Sequence, residues 1–220
     1  MAAVSAQTKR ILPRLCRLQR EKTMLRILLL SLLSLSFVPT SIAQDEQAAL
    51  SIDESNFRCL SEMSRVRGFF VDNLMDDLDG TLAVANSDVG GVYPPGSVVQ
   101  LVPTEVMVKH PKGFNAATRD WEFFELSVDE SGSNIDKRGF VDVVNKFGGN
   151  CFACHVQAKP EWDMICEQDH GCDPIQLTRP AISAIQKTDP RCSDNPELEV
   201  EEKEALAALL KALAGPVSAE

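Results

Sequence analysis

The chain has 220 residues, with 22 basic and 32 acidic side chains and a net charge of −10. That balance argues against holding nucleic acid or an anionic membrane surface through charge. The length suits one domain with a substantial core and leaves no room for a second full one.

Residues 1–43 read as an export leader. An apolar run over residues 25–38 carries Arg26 near its start and stops at Pro39, and Ser41 and Ala43 supply the small residues of a cleavage site before Gln44. The run falls short of the roughly 20 apolar residues a membrane span needs, so no stable span is expected after cleavage. Met24-Leu25-Arg26 opens a normal leader by itself, which makes Met24 the expected start. Without residues 1–43 the chain keeps 15 basic and 31 acidic side chains, a net charge of −16. Such a surface suits docking to a basic partner and equally serves to keep a protein soluble.

Residues 44–65 form an N-terminal lead, polar and acidic up to residue 56 and expected to be loose. Segments rich in β-branched and aromatic residues follow at 66–71, 81–85, 97–102, 106–109 and 121–128. Gly90-Gly91, Pro94-Pro95-Gly96, Pro111-Lys112-Gly113 and Ser131-Gly132 punctuate them. This pattern predicts short antiparallel strands of one curved sheet. Asn150, after Gly148-Gly149, is a good N-cap for a short helix over 151–157 that Pro160 stops. Residues 179–187 and 196–213 read as helices, the second with Glu at its start and Lys211 near its end, as the helix dipole prefers. The fold class is α+β: a curved antiparallel sheet, a short helix at Cys151, then C-terminal helices. A domain over 66–192 and a helical C-terminal piece over 193–220 follow the lead.

Cys151-Phe152-Ala153-Cys154-His155 is a CxxCH sequence, the signature of covalent c-type haem attachment. On a helix, positions i, i+3 and i+4 share a face, so one turn offers two thiols to the haem vinyl groups and an imidazole to the iron. His155 is the expected axial ligand through Nε2, with Nδ1–H turned toward a carbonyl or carboxylate that fixes the ring. Two other readings of CxxC are weaker. A zinc site adding Cys166 and Cys172 would need a second pair spaced more loosely than zinc sites show, and a thioredoxin-like redox pair would need a βαβ setting that the sequence lacks.

Once Cys16 leaves with the leader, Cys59, Cys166, Cys172 and Cys192 remain beside the CxxC pair. Four cysteines permit two disulfides in three pairings, and export to an oxidising compartment such as the periplasm favours forming them. Residues 166–172 read as a disulfide-stapled loop, with metal binding by His170 the weaker alternative. Met63, Met75, Met107, Met164, His110 and His170 are candidates for the sixth iron position. The default is an iron that is five-coordinate or bound only to water or a small ligand.

The order of these elements, the Pro94-Pro95-Gly96-Ser97-Val98-Val99 approach to a strand, the aromatic strand at Trp121-Glu122-Phe123-Phe124 and a late CxxCH followed by Asp163 resembles the cytochrome P-460 family, which includes the c′-β cytochromes. The resemblance covers about residues 66–166. It implies an antiparallel sheet against which haem packs, and an exported haem protein whose open side meets small nitrogen species or diatomic gases. Some members oxidise hydroxylamine and cross-link a lysine to the haem ring. Aligning the glycine-led strand puts Leu101 at that lysine's place, whereas the rival register over 107–109 would put Lys109 there. Asp163 matches the family's acid after the haem helix and is a candidate contact of haem or His155. Trp121, Phe123 and Phe124 are candidate pocket walls, and Glu105, Glu122 and Glu125 candidate carboxylates beside the open iron position.

The expected function is haem binding with electron transfer to a redox partner protein. Small-gas binding and oxidation of hydroxylamine-like nitrogen compounds are the alternatives, and a homodimer is left open.

Overall fold

The computed structural model describes residues 49–167 and 169–214, so the leader expected over residues 1–43 lies outside them. Among the described residues no helix is long and apolar enough to cross a membrane.

Six antiparallel strands make one meander in the order β1 to β6. They are β1 Ser64–Val66, β2 Phe69–Asn73, β3 Ser97–Val102, β4 Glu105–Lys109, β5 Trp121–Asp129 and β6 Gly132–Gly139. Among the described residues four helices accompany the sheet: α1 Leu78–Ala85, α2 Cys151–His155, α3 Arg179–Lys187 and α4 Val200–Leu213. The α+β class follows.

Alternation along each strand sorts the apolar side chains to two faces. Val66, Phe69, Val71, Val99, Met107, Trp121 and Phe123 point to the first, where Ala85 of α1 and Met164 and Ile165 cover them. Phe70, Val98, Val106, Val108, Phe124 and Leu126 point to the second. That second face is covered by the segment before β1, through Ile52, Phe57, Leu60 and Met63. Leu60 has no exposed surface and Phe57 only 4%, and burial on that scale contributes about 1.5–3 kcal/mol per side chain. The expected loose lead is therefore, from residue 50 onward, the lid of half the core.

Three expectations about elements are corrected. Residues 66–71 are not one strand: Arg67, at φ 48°, and Gly68 turn the chain between β1 and β2. Residues 81–85 belong to α1, because the Asp77 side chain accepts the Gly80 N–H at 3.1 Å and caps a helix that β-branched Thr81 and Val84 disguise. β6 was not expected at all. Its Ser133, Asn134, Asp136, Lys137 and Arg138 are the polar, charged composition of a protected sheet edge rather than of a buried strand.

The helices after α2 are tied down by side-chain bonds. Gln186 of α3 donates to the carbonyls of Gly68 at 2.8 Å and Leu101 at 2.7 Å, spanning the β2 and β3 ends. Helix α4 begins at Val200, later than the expected 196, because Glu199 and Glu202 form a capping box there. Glu202 also pairs with Lys187 at 2.7 Å, holding α4 to α3.

Candidate functional site

Helix α2 starts where the Asn150 side chain accepts the Ala153 N–H at 2.8 Å. It is a single turn ending at His155, two residues sooner than expected, and it presents Cys151, Cys154 and His155 at i, i+3 and i+4. Cys151 and Phe152 pack with Leu101 against the first-face core, while Cys154 is exposed. The His155 ring lies 5.4 Å from that of Phe123.

The two thiols of α2 are the free cysteines of the described chain. Cys59 pairs with Cys192 and Cys166 with Cys172, which selects one of the three pairings and bears out the stapled loop. It also removes Cys166 and Cys172 as zinc ligands.

His155 Nδ1 lies 2.7 Å from the Met164 carbonyl. A carbonyl only accepts, so the proton sits on Nδ1 and the Nε2 lone pair is left for a metal. Burial lowers the His155 pKa, which favours the neutral ring that such ligation requires. The partner of Nδ1 is thus a carbonyl, and the neighbouring Asp163 carboxylate is engaged elsewhere.

Asp163 and Met164 both adopt left-handed backbone, at φ 46° and 69°, a conformation that costs non-glycine residues of order 1–3 kcal/mol each. Four bonds hold this turn. Lys109 Nζ donates to Asp163 Oδ1 at 2.9 Å and Oδ2 at 2.7 Å, Tyr93 N–H donates to Oδ2 at 2.9 Å, and Trp121 Nε1–H donates to the Asp163 carbonyl at 2.8 Å. Gly90 allows the loop carrying Tyr93 to come so close. At φ +80°, a Cβ there would stand 2.1 Å from the Glu161 carbonyl oxygen. The Lys109 ammonium reaches a third oxygen, the Arg119 carbonyl at 2.6 Å, and is 4% exposed. Burial lowers the Lys109 pKa and the Asp163 charge opposes that shift.

The candidate carboxylates divide by strand parity. Glu122 points to the second face, where it bonds His110 at 2.8 Å and Arg138 at 2.8 and 2.9 Å. Phe124 goes with it, 5.1 Å from Phe57, so neither borders α2. Glu105 and Glu125 share the other parity with Phe123, stand opposite each other in register, and act on Cys151. Burial, with both glutamates adding to it, pushes the Cys151 thiol up to about 12. A thiol held there lacks the thiolate character that a redox-active CxxC pair uses.

Most candidate sixth ligands are committed. His110 has both ring nitrogens occupied, Nδ1 by the Leu50 N–H at 3.1 Å and Nε2 by Glu122. His170 is the exception: its ring stacks on Trp162 and its Nδ1 bonds the Ile165 carbonyl at 2.8 Å, which leaves Nε2 open. Met63 is in the second-face core and Met75 is 46% exposed. Met107 and Met164 lie in the first-face core with Phe123.

The donor set fits a covalently attached haem: two unpaired thiols and an imidazole with a satisfied Nδ1, all on one turn beside an apolar sheet face. Comparison with family models, with curated proteins and with solved structures finds no match to this chain.

Proposed function

We propose that this protein is an exported c-type cytochrome with a single haem c, joined by thioether bonds to Cys151 and Cys154, with His155 as the axial iron ligand and electron transfer as its work. The observation that carries the reading is the joint state of one helical turn. Its two thiols are free while the other four described cysteines pair, and its imidazole already donates Nδ1–H to a carbonyl. The haem supplies the redox couple. The chain fixes its orientation through Cys151, Cys154 and His155 and shields one side with Phe123 and the apolar face around it.

Periplasmic location is supported by the leader-like sequence and by two disulfides, which persist in oxidising compartments. The acidic surface after leader removal favours a basic redox partner. Likeness to the cytochrome P-460 family remains part of this proposal, resting on the motif, the meander and Asp163 after the helix.

One observation favours a small-ligand reading as the second choice. His110 has both ring nitrogens engaged, which leaves the sixth iron position to His170 through Nε2, to Met107, to Met164 or to an external diatomic or nitrogen ligand. Hydroxylamine oxidation by a lysine-linked haem is less supported. Leu101 occupies the expected lysine place, and Lys109 spends its ammonium on Asp163 and Arg119.

The test is a pyridine haemochrome spectrum and intact mass of protein made with the c-type maturation machinery. One haem added to the chain mass and a two-thioether spectrum are expected, with covalent haem lost on Cys151→Ala together with Cys154→Ala. A purified wild-type chain of bare mass and no colour defeats the proposal.

A further inference from the structure

Two carboxylates near α2 are used by neither the core nor the salt bridges. Glu105 on β4 and Glu125 on β5 stand directly opposite each other, and cross-strand partners of this kind bring their Cβ atoms to within about 5 Å. Glu125 is only 3% exposed, and neither of its carboxylate oxygens has a hydrogen-bond partner; Glu105 Oε1 is in the same state. The charges of both reach the Cys151 thiol, so the pair borders the place where a thioether would hold the haem edge. Buried, unpartnered carboxylates are costly, and two side by side resist ionising together.

The groups around the pair do not neutralise it. From α2 comes Cys151, a thiol. From the loop before α2 come Asn145, which bonds Glu105, and Lys146, whose ammonium and backbone N–H both favour ionised Glu125 but are outweighed by burial. The Lys146 ammonium donates to the Leu126 carbonyl at 2.8 Å and lies 3.7 Å from Asp136 of β6. Lys137, opposite Glu125 in register, is exposed. What compensates the pair is a proton.

Resting on the haem reading above, we propose that Glu105 and Glu125 carry one proton between them, release it to solvent when the haem iron gives an electron to the redox partner, and take it back when an electron returns. One electron and one proton leave together, and the site's net charge stays constant. Oxidation adds a positive charge beside the pair, and in a poorly solvated site that charge favours the ionised carboxylates. Burial, reinforced by Glu105, pushes Glu125 up to about 7, so the proton is exchangeable near neutral pH. As a whole residue Glu105 is half-buried, where Glu125 is buried.

The experiment is redox potentiometry of the haem-loaded protein at a series of pH values across neutrality, paired with redox-difference infrared spectra of the carboxylic acid carbonyl band. Wild type is expected to lose potential as pH rises and to lose a protonated-carboxyl band on oxidation. Glu125→Gln with Glu105→Gln should flatten the pH dependence and remove the band while both thioethers remain. A wild-type potential that ignores pH, or a slope and band that survive in the double variant, overturns the proposal. If the double variant does not fold, Glu125→Gln alone decides the matter, because a slope and band that survive in it belong to another acid such as a haem propionate. A colourless wild-type protein overturns both this proposal and the haem reading; a coloured one with a pH-independent potential overturns only this one.

Discussion

Lys109 and Asp163, 54 residues apart in sequence, meet at 2.7 Å with side chains only 5% and 2% exposed. The pair sits at a turn whose next carbonyl, that of Met164, receives the His155 Nδ1–H. An ion pair in the core thereby sets the angle of the proposed iron ligand without touching it. Removing one partner of such a pair leaves a buried charge and costs about 3–5 kcal/mol. Lys109→Met should therefore lower the urea midpoint sharply, and adding Asp163→Leu should return only part of the loss, because the buried Tyr93 N–H then lacks its acceptor. In the haem-loaded protein the iron–histidine stretching band should shift or broaden in both variants, because the Met164 carbonyl is no longer held. A Lys109→Met protein with the wild-type midpoint would show that the pair adds no stability.

Trp121 supports the same turn through a different bond. Its indole N–H is the donor to the Asp163 carbonyl, and the ring is fully buried. Trp121→Phe keeps an aromatic body there but leaves that carbonyl unsatisfied, at about 1–3 kcal/mol. Thermal unfolding should report that loss, and the iron–histidine band should move as in Lys109→Met. Loss of stability with an unmoved band would assign Trp121 to packing alone.

How much of this was legible in the sequence depends on how local each signal is. CxxCH declares its geometry within one turn, and strands at 97–102 and 121–128 declare theirs by composition, so these emerge with nearly the right bounds. Thr81 and Val84 carry a strand signal inside α1 because their β-branched composition masks the Asp77 cap. The roles of Glu105, Glu122 and Glu125 turn on strand parity, which a one-residue step reverses, so three acids that look alike in sequence end on two faces. Asp163 could be marked from family likeness, but its partner Lys109 comes from a strand on the other side of the chain's midpoint, and no local pattern links them. The cover over the second face was missed for a related reason. Ile52, Phe57 and Leu60 are scattered among polar residues, and only the sheet brings them into one cluster.

The two disulfides should differ in what they contribute. Cys59–Cys192 spans 133 residues and clamps the N-terminal cover to the segment after α3, whereas Cys166–Cys172 spans 6. By loop-closure entropy the first restricts the unfolded chain by about 5 kcal/mol and the second by about 2 kcal/mol. Denaturant unfolding of Cys59→Ser/Cys192→Ser and of Cys166→Ser/Cys172→Ser should reproduce that order. Equal losses would mean that native packing, not chain entropy, decides the cost.

Stability should also fall with pH in a window that Glu125 controls. Burial first, then the Glu105 charge, raises its folded value from 4.5 to about 7. The folded chain thus holds this proton more tightly than the unfolded chain does. The contribution is complete below pH 4.5 and is lost as pH climbs through about 7. Glu122 acts with the opposite sign and elsewhere. Burial alone would raise it, but bonds from His110 and Arg138 outweigh burial and lower it, so its contribution is lost as pH falls below the ordinary glutamate range. His155, lowered by burial, gains stability as pH rises toward 6.5 and opposes Glu125 there, while Glu105, also raised by burial, acts with it, so the Glu125 effect is read as the difference between wild type and Glu125→Gln. Urea midpoints of the wild type should decline relative to those of Glu125→Gln, neutral at every pH, between mildly acid and neutral pH, and the variant should be the more stable protein in alkali. If the two curves stay parallel across that range, the proton is held by another group, and Glu125 is ionised in its strand throughout.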